Sequence, residues 1–598
     1  MIKIGLEIHQ QLEGKKLFCN CPTTLREDKT DVRFVRRLHA SRGETGDVDS
    51  AAQLEAKKEK YFVYQGYRDT TCLVETDDEP PHGINPDALY TAYQVMKLLR
   101  CRPIDVVQCM RKTVIDGSNT SGFQRTALLG TKGSIPTSEG EVRIQSVCIE
   151  EEACKIIAQE ESYVEYGLDR LGIPLIEIAT EPDICSAKQA QEAAAYLGMV
   201  LRSTGRVKRG LGTIRQDINI SINNGERIEI KGFQDLKTIP EIVQNEVRRQ
   251  ESLQNLSQTL PEVNASEIQN LTEQFQKSNS SIIKAAVESS GVVLVFKIAG
   301  WKGLIGKEIS LHKRLGSEFS DYAKVEAGVK GIFHSDELPN YGITQEEVEI
   351  IQQTLGCQSQ DAFVLVASNE VRAKKALLAV LERAKLCKKG VLPEVRRANE
   401  DASTSYMRPI PGASRMYPET DIPLLYPSFD HVAIPELLTD KAKNIEEQYS
   451  FSQDLAQTLV KSGKQELFEA IVAVCPAVKP AFIAETILSV DKQVKKLYGV
   501  DIAPTENDYT ILFRALNAGE ITTETIPLVL KENGAVKDGI EKFKQVSDEE
   551  LKTGIEKVLQ ENKGAPMGAL MGKVMEKFRG KADGKKIAEM VKGMVQGQ

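Results

Sequence analysis

The sequence predicts an α+β protein of several domains that ends in an all-α region. Apolar residues recur at period two in short runs through the first third, and strand-like and helix-like segments interleave after it. Beyond about residue 435 the apolar spacing turns helical. With 598 residues, 41% of them hydrophobic and 27% charged, the chain is ordinary globular material, long enough for roughly three to five domains.

Ile2, Ile4, Leu6 and Ile8 fall on one face of a first strand, and Lys3, Gly5, Glu7 and His9 on the other. Ser186 and Gln189 have capping-box spacing, and Ala190, Ala193, Ala194, Leu197, Val200 and Leu201 carry a helical stripe to Gly205. Ile214, Ile218, Ile220 and Ile222 share a strand face opposite Arg215, Asp217, Asn219 and Ser221. Asn223-Asn224-Gly225 then supplies a turn, and Ile228 and Ile230 alternate with Glu229 and Lys231, so 213–233 reads as a β-hairpin. The polar stretch from Gln254 to Ser281 reads as helix and connection. A strand from Val292 to Ile298 opens a separate module that reaches about Pro393 and holds the sole tryptophan, Trp301. Pro409, Pro411, Pro418 and Pro423 exclude regular helix between Asn399 and Tyr426. In the helical region, Ser547 and Glu550 form a second capping box.

Lys and Arg number 77 against 85 Asp and Glu, a net charge of −8, which excludes a uniformly basic nucleic-acid binder. The segment 563–598 reverses that balance with eight Lys or Arg against three acidic residues, so an RNA contact is expected there. Apolar runs such as Gly291 to Phe296 are far shorter than the roughly 20 residues of a membrane helix, so no membrane partner is expected. Eleven cysteines, an odd number without a secreted-framework spacing, predict reduced thiols and a cytoplasmic protein.

Standard nucleotide-loop, dinucleotide-turn and nucleophile-elbow signatures are missing. Acidic residues instead occupy strand-like settings. Glu177 has large aliphatics on both sides in Ile173-Pro174-Leu175-Ile176-Glu177-Ile178, and an unpaired carboxylate there would cost several kcal/mol, so a cation partner is expected. Glu150-Glu151-Glu152 follows a strand-like run and needs a counter-ion too; Glu7, His9 and Asp217 complete the set. Carboxylates with one imidazole suit magnesium or manganese, with substrate phosphates filling the remaining positions. Taken singly, each of these residues except Glu177 reads better as the wet side of an alternating strand. The loop from Asp116 to Gly122, flanked by Arg111, Lys112 and Arg125, reads as a phosphate cradle or as an ordinary glycine-rich loop. Arg202, Arg206, Lys208, Arg209 and Arg215 form a basic cluster that suits RNA or water. Cys19, Cys21 and Cys72, with His82, make half of a recognisable zinc site; free thiols are the simpler expectation.

The order of several motifs resembles the B and E subunits of tRNA-dependent amidotransferases. They are Gly5-Leu6-Glu7-Ile8-His9, Glu150-Glu151-Glu152-Ala153-Cys154-Lys155, Pro174-Leu175-Ile176-Glu177-Ile178, Arg215-Gln216-Asp217-Ile218, Glu229-Ile230-Lys231 and Tyr417-Pro418-Glu419-Thr420-Asp421-Ile422-Pro423. The run Met110 to Thr126, and an extra module that B subunits lack, resemble the archaeal E subunit. The resemblance implies an ATP- and Mg2+-dependent ligase: the glutamyl side chain of misacylated tRNA(Gln) is phosphorylated and then amidated. The ammonia comes from a D-type glutaminase subunit in a heterotetramer. It also implies a catalytic domain like glutamine synthetase and guanido kinases over 1–279, an aspartyl-tRNA-synthetase-like insert over 280–400 and a return segment over 401–430. A helical domain over 431–545 and a tRNA-binding tail over 546–598 follow. By motif, Glu7, His9, Glu151, Glu177 and Asp217 carry catalysis and hold magnesium, while Lys112, Ser118, Lys155, Arg170 and Lys231 contact nucleotide or substrate. Cys154 and Glu152 depart from the B-subunit pattern, which has glycine and aspartate there. The second cysteine pair of zinc-binding B subunits is reduced to Cys72. Two rival classes stand beside this one: a metal-dependent phosphohydrolase acting on a small substrate, and a non-catalytic tRNA-binding scaffold.

Overall fold

The computed structural model describes the whole chain except residues 40–45, 47, 49–55, 57–58, 161, 224, 411–415, 533–534, 563 and 597–598. Asn224 of the expected turn, Pro411 and Lys563 therefore lie outside the described residues. Contacts divide the chain into Met1–Pro435 and Glu436–Gln598.

The strands of the first unit include β1 (Ile2–Gln11), β2 (Val32–Arg36), β3 (Tyr61–Gly66), β4 (Cys109–Thr113), β5 (Phe123–Thr137) and β6 (Gly140–Glu151). Next come β7 (Lys155–Gln159), β8 (Tyr163–Gly167), β9 (Pro174–Thr180), β10 (Ile214–Ile222) and β11 (Ile228–Phe233). The last are β12 (Val292–Ile298), β13 (Ala362–Ser368), β14 (Glu394–Ala398), β15 (Thr404–Pro409) and β16 (Met416–Pro418). Its helices include α1 (Pro86–Leu98), α2 (Ala187–Ser203), α3 (Ile239–Thr259), α4 (Ser281–Glu288), α5 (Leu315–Ala327), α6 (Gln345–Thr354) and α7 (Glu370–Leu386).

The largest sheet runs β15-β14-β11-β10-β1-β9-β6-β5-β4-β16. It is antiparallel apart from the β11–β14 pair. Alternation builds its two faces. Ile4, Leu6 and Ile8 are buried, as are Ile176 and Ile178 beside them and Ile218 and Ile220 on the other flank. Helices α1, α2 and α3 cover this aliphatic side. Helix α2 presents the stripe of Ala190, Ala193, Ala194, Leu197, Val200 and Leu201, and each large aliphatic in it contributes about 1.5–3 kcal/mol on burial. Ser186 caps it by accepting from the Gln189 N–H, but Gln189 Oε1 accepts from Cys185 N rather than from the cap residue. The opposite side of the sheet carries the charged residues.

A second sheet, β2-β3-β8-β7, buries Phe62, Tyr64, Val164 and Tyr166. A third contains β12 and β13 with the two-residue strands Gln269–Asn270 and Phe333–His334, and packs against α4 and α7. Between this sheet's helices and the large sheet lies a buried ion-pair network. Glu318 on α5 accepts from Arg249 Nε at 2.8 Å and from Arg396 Nη2 at 2.7 Å, and Arg383 Nη2 stands 3.7 Å away. Glu394 accepts from Arg396 Nη1 at 2.7 Å and from the Tyr322 hydroxyl at 2.5 Å.

His334 is buried against Gly316, where a Cβ would stand 2.4 Å from its Nε2. Burial pushes the imidazole down to about 4, with Asp336 opposing and Arg314 reinforcing the shift, and Glu337 stands 3.7 Å away. A depressed histidine contributes stability that is complete above its unfolded value of 6.5 and is lost as pH falls toward 4. The expected result is a loss of about 1.4 kcal/mol per pH unit in that window from this group. The His334→Asn variant should show a correspondingly shallower decline in Tm between pH 7 and 4.5; parallel curves would contradict it.

The second unit is helical, from Leu438–Tyr449 to Gly584–Gln596. One apolar core involves Phe451, Phe468, Ile487, Leu512 and Phe513; another involves Leu551, Ile555, Leu570, Val574 and Phe578. The expected capping box at Ser547 and Glu550 forms in both directions. Met571 packs against the second core while Met575 is exposed, so the methionine stripe is largely a core feature. No helix among the described residues is long and apolar enough to cross a membrane.

Candidate active site

The charged residues collect on one face because the strand registers bring equal parities together. His9 on β1 stands opposite Glu177 on β9, and Glu7 opposite Asp217 on β10. His9 Nε2 lies 3.3 Å from Glu177 Oε2 and 3.4 Å from Glu7 Oε1. Two groups with ligand-compatible spacing result, Glu7–His9–Asp217 and His9–Glu150–Glu177, in each of which the ligand atoms lie within 4.8 Å of one another.

Lysines flank the cluster. Lys112 on β4 donates to Glu150 Oε1 at 3.0 Å and stands 3.9 Å from Glu177. Lys231 on β11 bonds Asp217 and stands 2.6 Å from Glu229. Burial and the Glu177 charge push Glu7 up to about 7, despite opposition from His9 and Lys231. Burial alone would lower His9, but the hydrogen bond and charge of Glu177, with Glu7 and Glu150, lift it to about 9. Burial opposes ionisation of Glu177, yet His9 and Lys112 hold it well below the usual carboxylate range. Crowded carboxylates of this kind, one near neutrality and one strongly ionised, form a donor set that a divalent cation relieves.

Glu151, expected in the metal set, is not brought to it. In β6 the residues Val147, Ile149 and Glu151 share one parity and Cys148 and Glu150 the other, so Glu150 joins Glu177 while Glu151 turns away. Glu151 Oε1 accepts from Arg125 N at 2.8 Å and stands 3.5 Å from Arg125 Nη1; Arg125 in turn donates to Glu419 at 2.8 Å. The signal for Glu150 was present in that parity. Glu229 was also missed, while Glu152 finds the counter-ion expected for it. Glu229 shares the parity of Lys231, and Glu152 pairs with Arg215 Nη2 at 2.9 Å and with Gln11 at 2.9 Å.

Of the nucleotide candidates, Lys112 and Lys231 lie on the face. Ser118 sits in a loop held by the Tyr64 hydroxyl on Gly117 O and the Tyr166 hydroxyl on Asp116 O, both at 2.7 Å. Its own N–H is spent on Asp116 Oδ1. Gly117, at φ +88, is required there because a Cβ would stand 2.2 Å from the Phe62 ring. Lys155 is exposed on β7 of the second sheet, and the Arg170 guanidinium donates to the Ala153 and Cys154 carbonyls, fixing backbone. The basic cluster disperses: Arg206 pairs with Asp87, Lys208 with Glu13 and Arg215 with Glu152.

The cysteines are more organised than the sequence indicates. Cys19, Cys21, Cys72 and the buried Glu75 place one donor atom each within 4.8 Å of the others. Cys19 Sγ lies 2.8 Å from Glu75 Oε1, and Cys72 N donates to Glu75 Oε2 at 2.7 Å. His82 is elsewhere, 3.6 Å from Glu79. All eleven thiols are free of disulfides.

A charged sheet face with this motif order defines a protein class. The pattern of the GatB/GatE catalytic domain matches residues 2–432, that of the GatB domain matches residues 466–595, and the chain belongs to the GatB/GatE family. Among curated relatives, the E subunit of the glutamyl-tRNA(Gln) amidotransferase of Methanococcus maripaludis is 46% identical over 578 residues, covering 94% of this chain and 91% of that protein. The E subunit from Methanocaldococcus jannaschii is 48% identical, covering 94% and 92%. The one from Haloarcula marismortui is 48% identical, covering 84% and 80%.

Proposed function

We propose that the chain is the kinase and transamidase subunit of a tRNA-dependent amidotransferase, in a heterotetramer with a D-type glutaminase subunit. The observation that carries this reading is the pair of carboxylate triads sharing His9, flanked by Lys112 and Lys231 on one face of the sheet. We read this one-sided sheet as the glutamine-synthetase and guanido-kinase-like domain, interrupted by the aspartyl-tRNA-synthetase-like insert expected at 280–400; the insert's sheet already takes in Gln269–Asn270, and β14 (Glu394–Ala398) belongs to the large sheet. The domain limits given above, and a cytoplasmic site of action, belong to the same reading.

A glutamyl carboxylate is a poor acylating agent. Transfer of the ATP γ-phosphoryl to one of its oxygens makes an acyl phosphate and ADP; ammonia then attacks the acyl carbon and phosphate leaves, giving glutaminyl-tRNA. Glu7, His9, Glu150, Glu177 and Asp217 would hold Mg2+, which supplies charge neutralisation at the transferring phosphate. Lys112 and Lys231 are placed to receive phosphate oxygens if Glu150, Asp217 and Glu229 turn to the cation. His9 and Glu177 hold each other in position at the centre. ADP and glutaminyl-tRNA forming one for one from ATP, ammonium and glutamyl-tRNA(Gln) is the supporting result. ADP without amide would favour phosphohydrolysis.

Cys19, Cys21, Cys72 and Glu75 suit tetrahedral zinc. The full-length protein should carry about one zinc per chain, and the Cys72→Ser variant should lose it and melt at a lower temperature. Metal content by mass spectrometry checks this; a zinc-free wild type would contradict it. The positive balance of 563–598 predicts that deleting 546–598 raises KM for tRNA by about tenfold with kcat little changed. An unchanged KM would refute a tRNA-binding tail.

A further inference from the structure

A polar cleft of about 830 Å³ opens beside the large sheet, away from the triads. One wall comes from residues 312–337, around the start of α5, and the other from 397–403, the turn between β14 and β15. A solvent-open volume of this size lined by charge suits a polar ligand. The lining excludes an apolar ligand. Arg314, Lys324 and Arg397 are exposed cations, and neither Arg314 nor Arg397 has a carboxylate within ion-pair distance among the described residues. Lys313, buried in the same lining, is neutralised by Asp321 at 2.8 Å and bonded to Ser405 at 2.9 Å, which fixes the wall.

The acceptors are as informative. Asn399, Glu400 and Asp401 stand in the 397–403 wall; the Asn399 amide is spent on Ser403 and Ser405, while Asp401 gives only Oδ1 to Ser403. A site for bare phosphate would gain nothing from carboxylates, whereas a nucleotide offers both a phosphate and donor groups on its base edge and ribose. His334 also lines the cleft, is buried, and leaves its Nδ1 without a hydrogen-bond partner.

Position selects among nucleotides. Arg397 on β14 stands opposite Lys231 on β11, whose amine bonds Asp217 on β10, next to Glu7 on β1. At about 4.8 Å per strand, Arg397 on the cleft wall lies roughly 10 Å from Asp217 and roughly 15 Å from Glu7. That is within reach of a nucleotide joined to the reacting aminoacyl end.

We propose that this cleft receives an unpaired nucleotide of the tRNA 3′ end, with Arg314, Lys324 and Arg397 on its phosphate and Asp401 Oδ2 on its base edge. The inference rests on the tRNA-dependent reading above. It assigns the inserted segment a part in presenting the aminoacyl ester to the charged face.

The test measures dissociation constants of the full-length protein for three probes: intact glutamylated tRNA(Gln), the same tRNA trimmed of its single-stranded 3′ nucleotides, and ATP. The Arg314→Ala/Lys324→Ala variant changes only exposed side chains, and Asp401→Asn provides an independent second variant. The double variant should bind intact tRNA about tenfold more weakly, the size of one lost charge-assisted contact. Asp401→Asn should weaken it in the same direction. Trimmed tRNA should bind wild type and variants alike, and ATP affinity should not move. Unchanged binding of intact tRNA, equal losses with trimmed tRNA, or a loss confined to ATP would each overturn the proposal. Failure of the wild type to bind any tRNA would instead overturn the amidotransferase reading itself.

Discussion

The Glu177→Gln variant is expected to form glutaminyl-tRNA about 10²–10³-fold more slowly than wild type at saturating ATP and ammonium, the usual size for losing one preorganised charge at a reacting phosphate or acyl centre. Glu177 is the residue through which the cluster coheres. It pairs with His9 at 3.3 Å and faces Lys112 at 3.9 Å, and its charge helps lift both Glu7 and His9. The amide keeps the volume but removes the charge, so His9 and Lys112 each lose one of two nearby carboxylates and a divalent ion loses a donor. The Mg2+ concentration for half-maximal rate should rise as well. Initial rates across a magnesium titration, with a melting curve to establish folding, decide it. A variant within twofold of wild type would remove Glu177 from the chemistry.

Glu318→Ala should destabilise the first unit by about 3–5 kcal/mol, the typical cost of removing one partner from a buried ion-pair network. Glu318 is fully buried and is approached by Arg249, Arg383 and Arg396, so its loss leaves three guanidinium groups facing Glu246 and Glu394 alone. These residues come from α3, α5, α7 and β14, which ties the helices of the inserted segment to the edge of the large sheet. The pair Glu318→Met with Arg396→Met should recover part of the loss, since apolar replacement of buried ions is often tolerated. Denaturant melts monitored at Trp301, which is buried against Phe319, would report this transition. A loss below about 1 kcal/mol, the scale of a surface pair, would contradict it.

Strands and helices were legible where period and punctuation agreed. β1 and the 214–233 hairpin were readable because one face of each is aliphatic and the ends carry turn chemistry or polar residues, and β12 because it is a short continuous apolar run. The stripe of α2 was readable for the same reason. The order of the strands was not, since β9 and β10 flank β1 through pairings that span more than a hundred residues. The site divides in the same way. Glu177 stood out because aliphatics flank it, and Glu7, His9 and Asp217 followed from motif order. Choosing Glu151 over Glu150 ignored the parity that Val147 and Ile149 set within one strand. Glu75 escaped notice as a partner of the cysteines, because Cys19 and Cys72 are joined only by the fold. The network around Glu318 was likewise invisible: its members lie on four elements between residues 246 and 396.

The most direct test of the central claim is conversion of glutamyl-tRNA(Gln) to glutaminyl-tRNA by the chain with ATP, Mg2+ and free ammonium, alone and with a D-type partner, comparing wild type with Asp217→Ala. Asp217 joins the Glu7–His9 group and is the carboxylate that Lys231 holds. Product that requires ATP and disappears in the variant, with tRNA affinity retained, is the result the account predicts. Equal product from wild type and variant, or none from folded wild-type protein that binds tRNA in the presence of its partner, would contradict it.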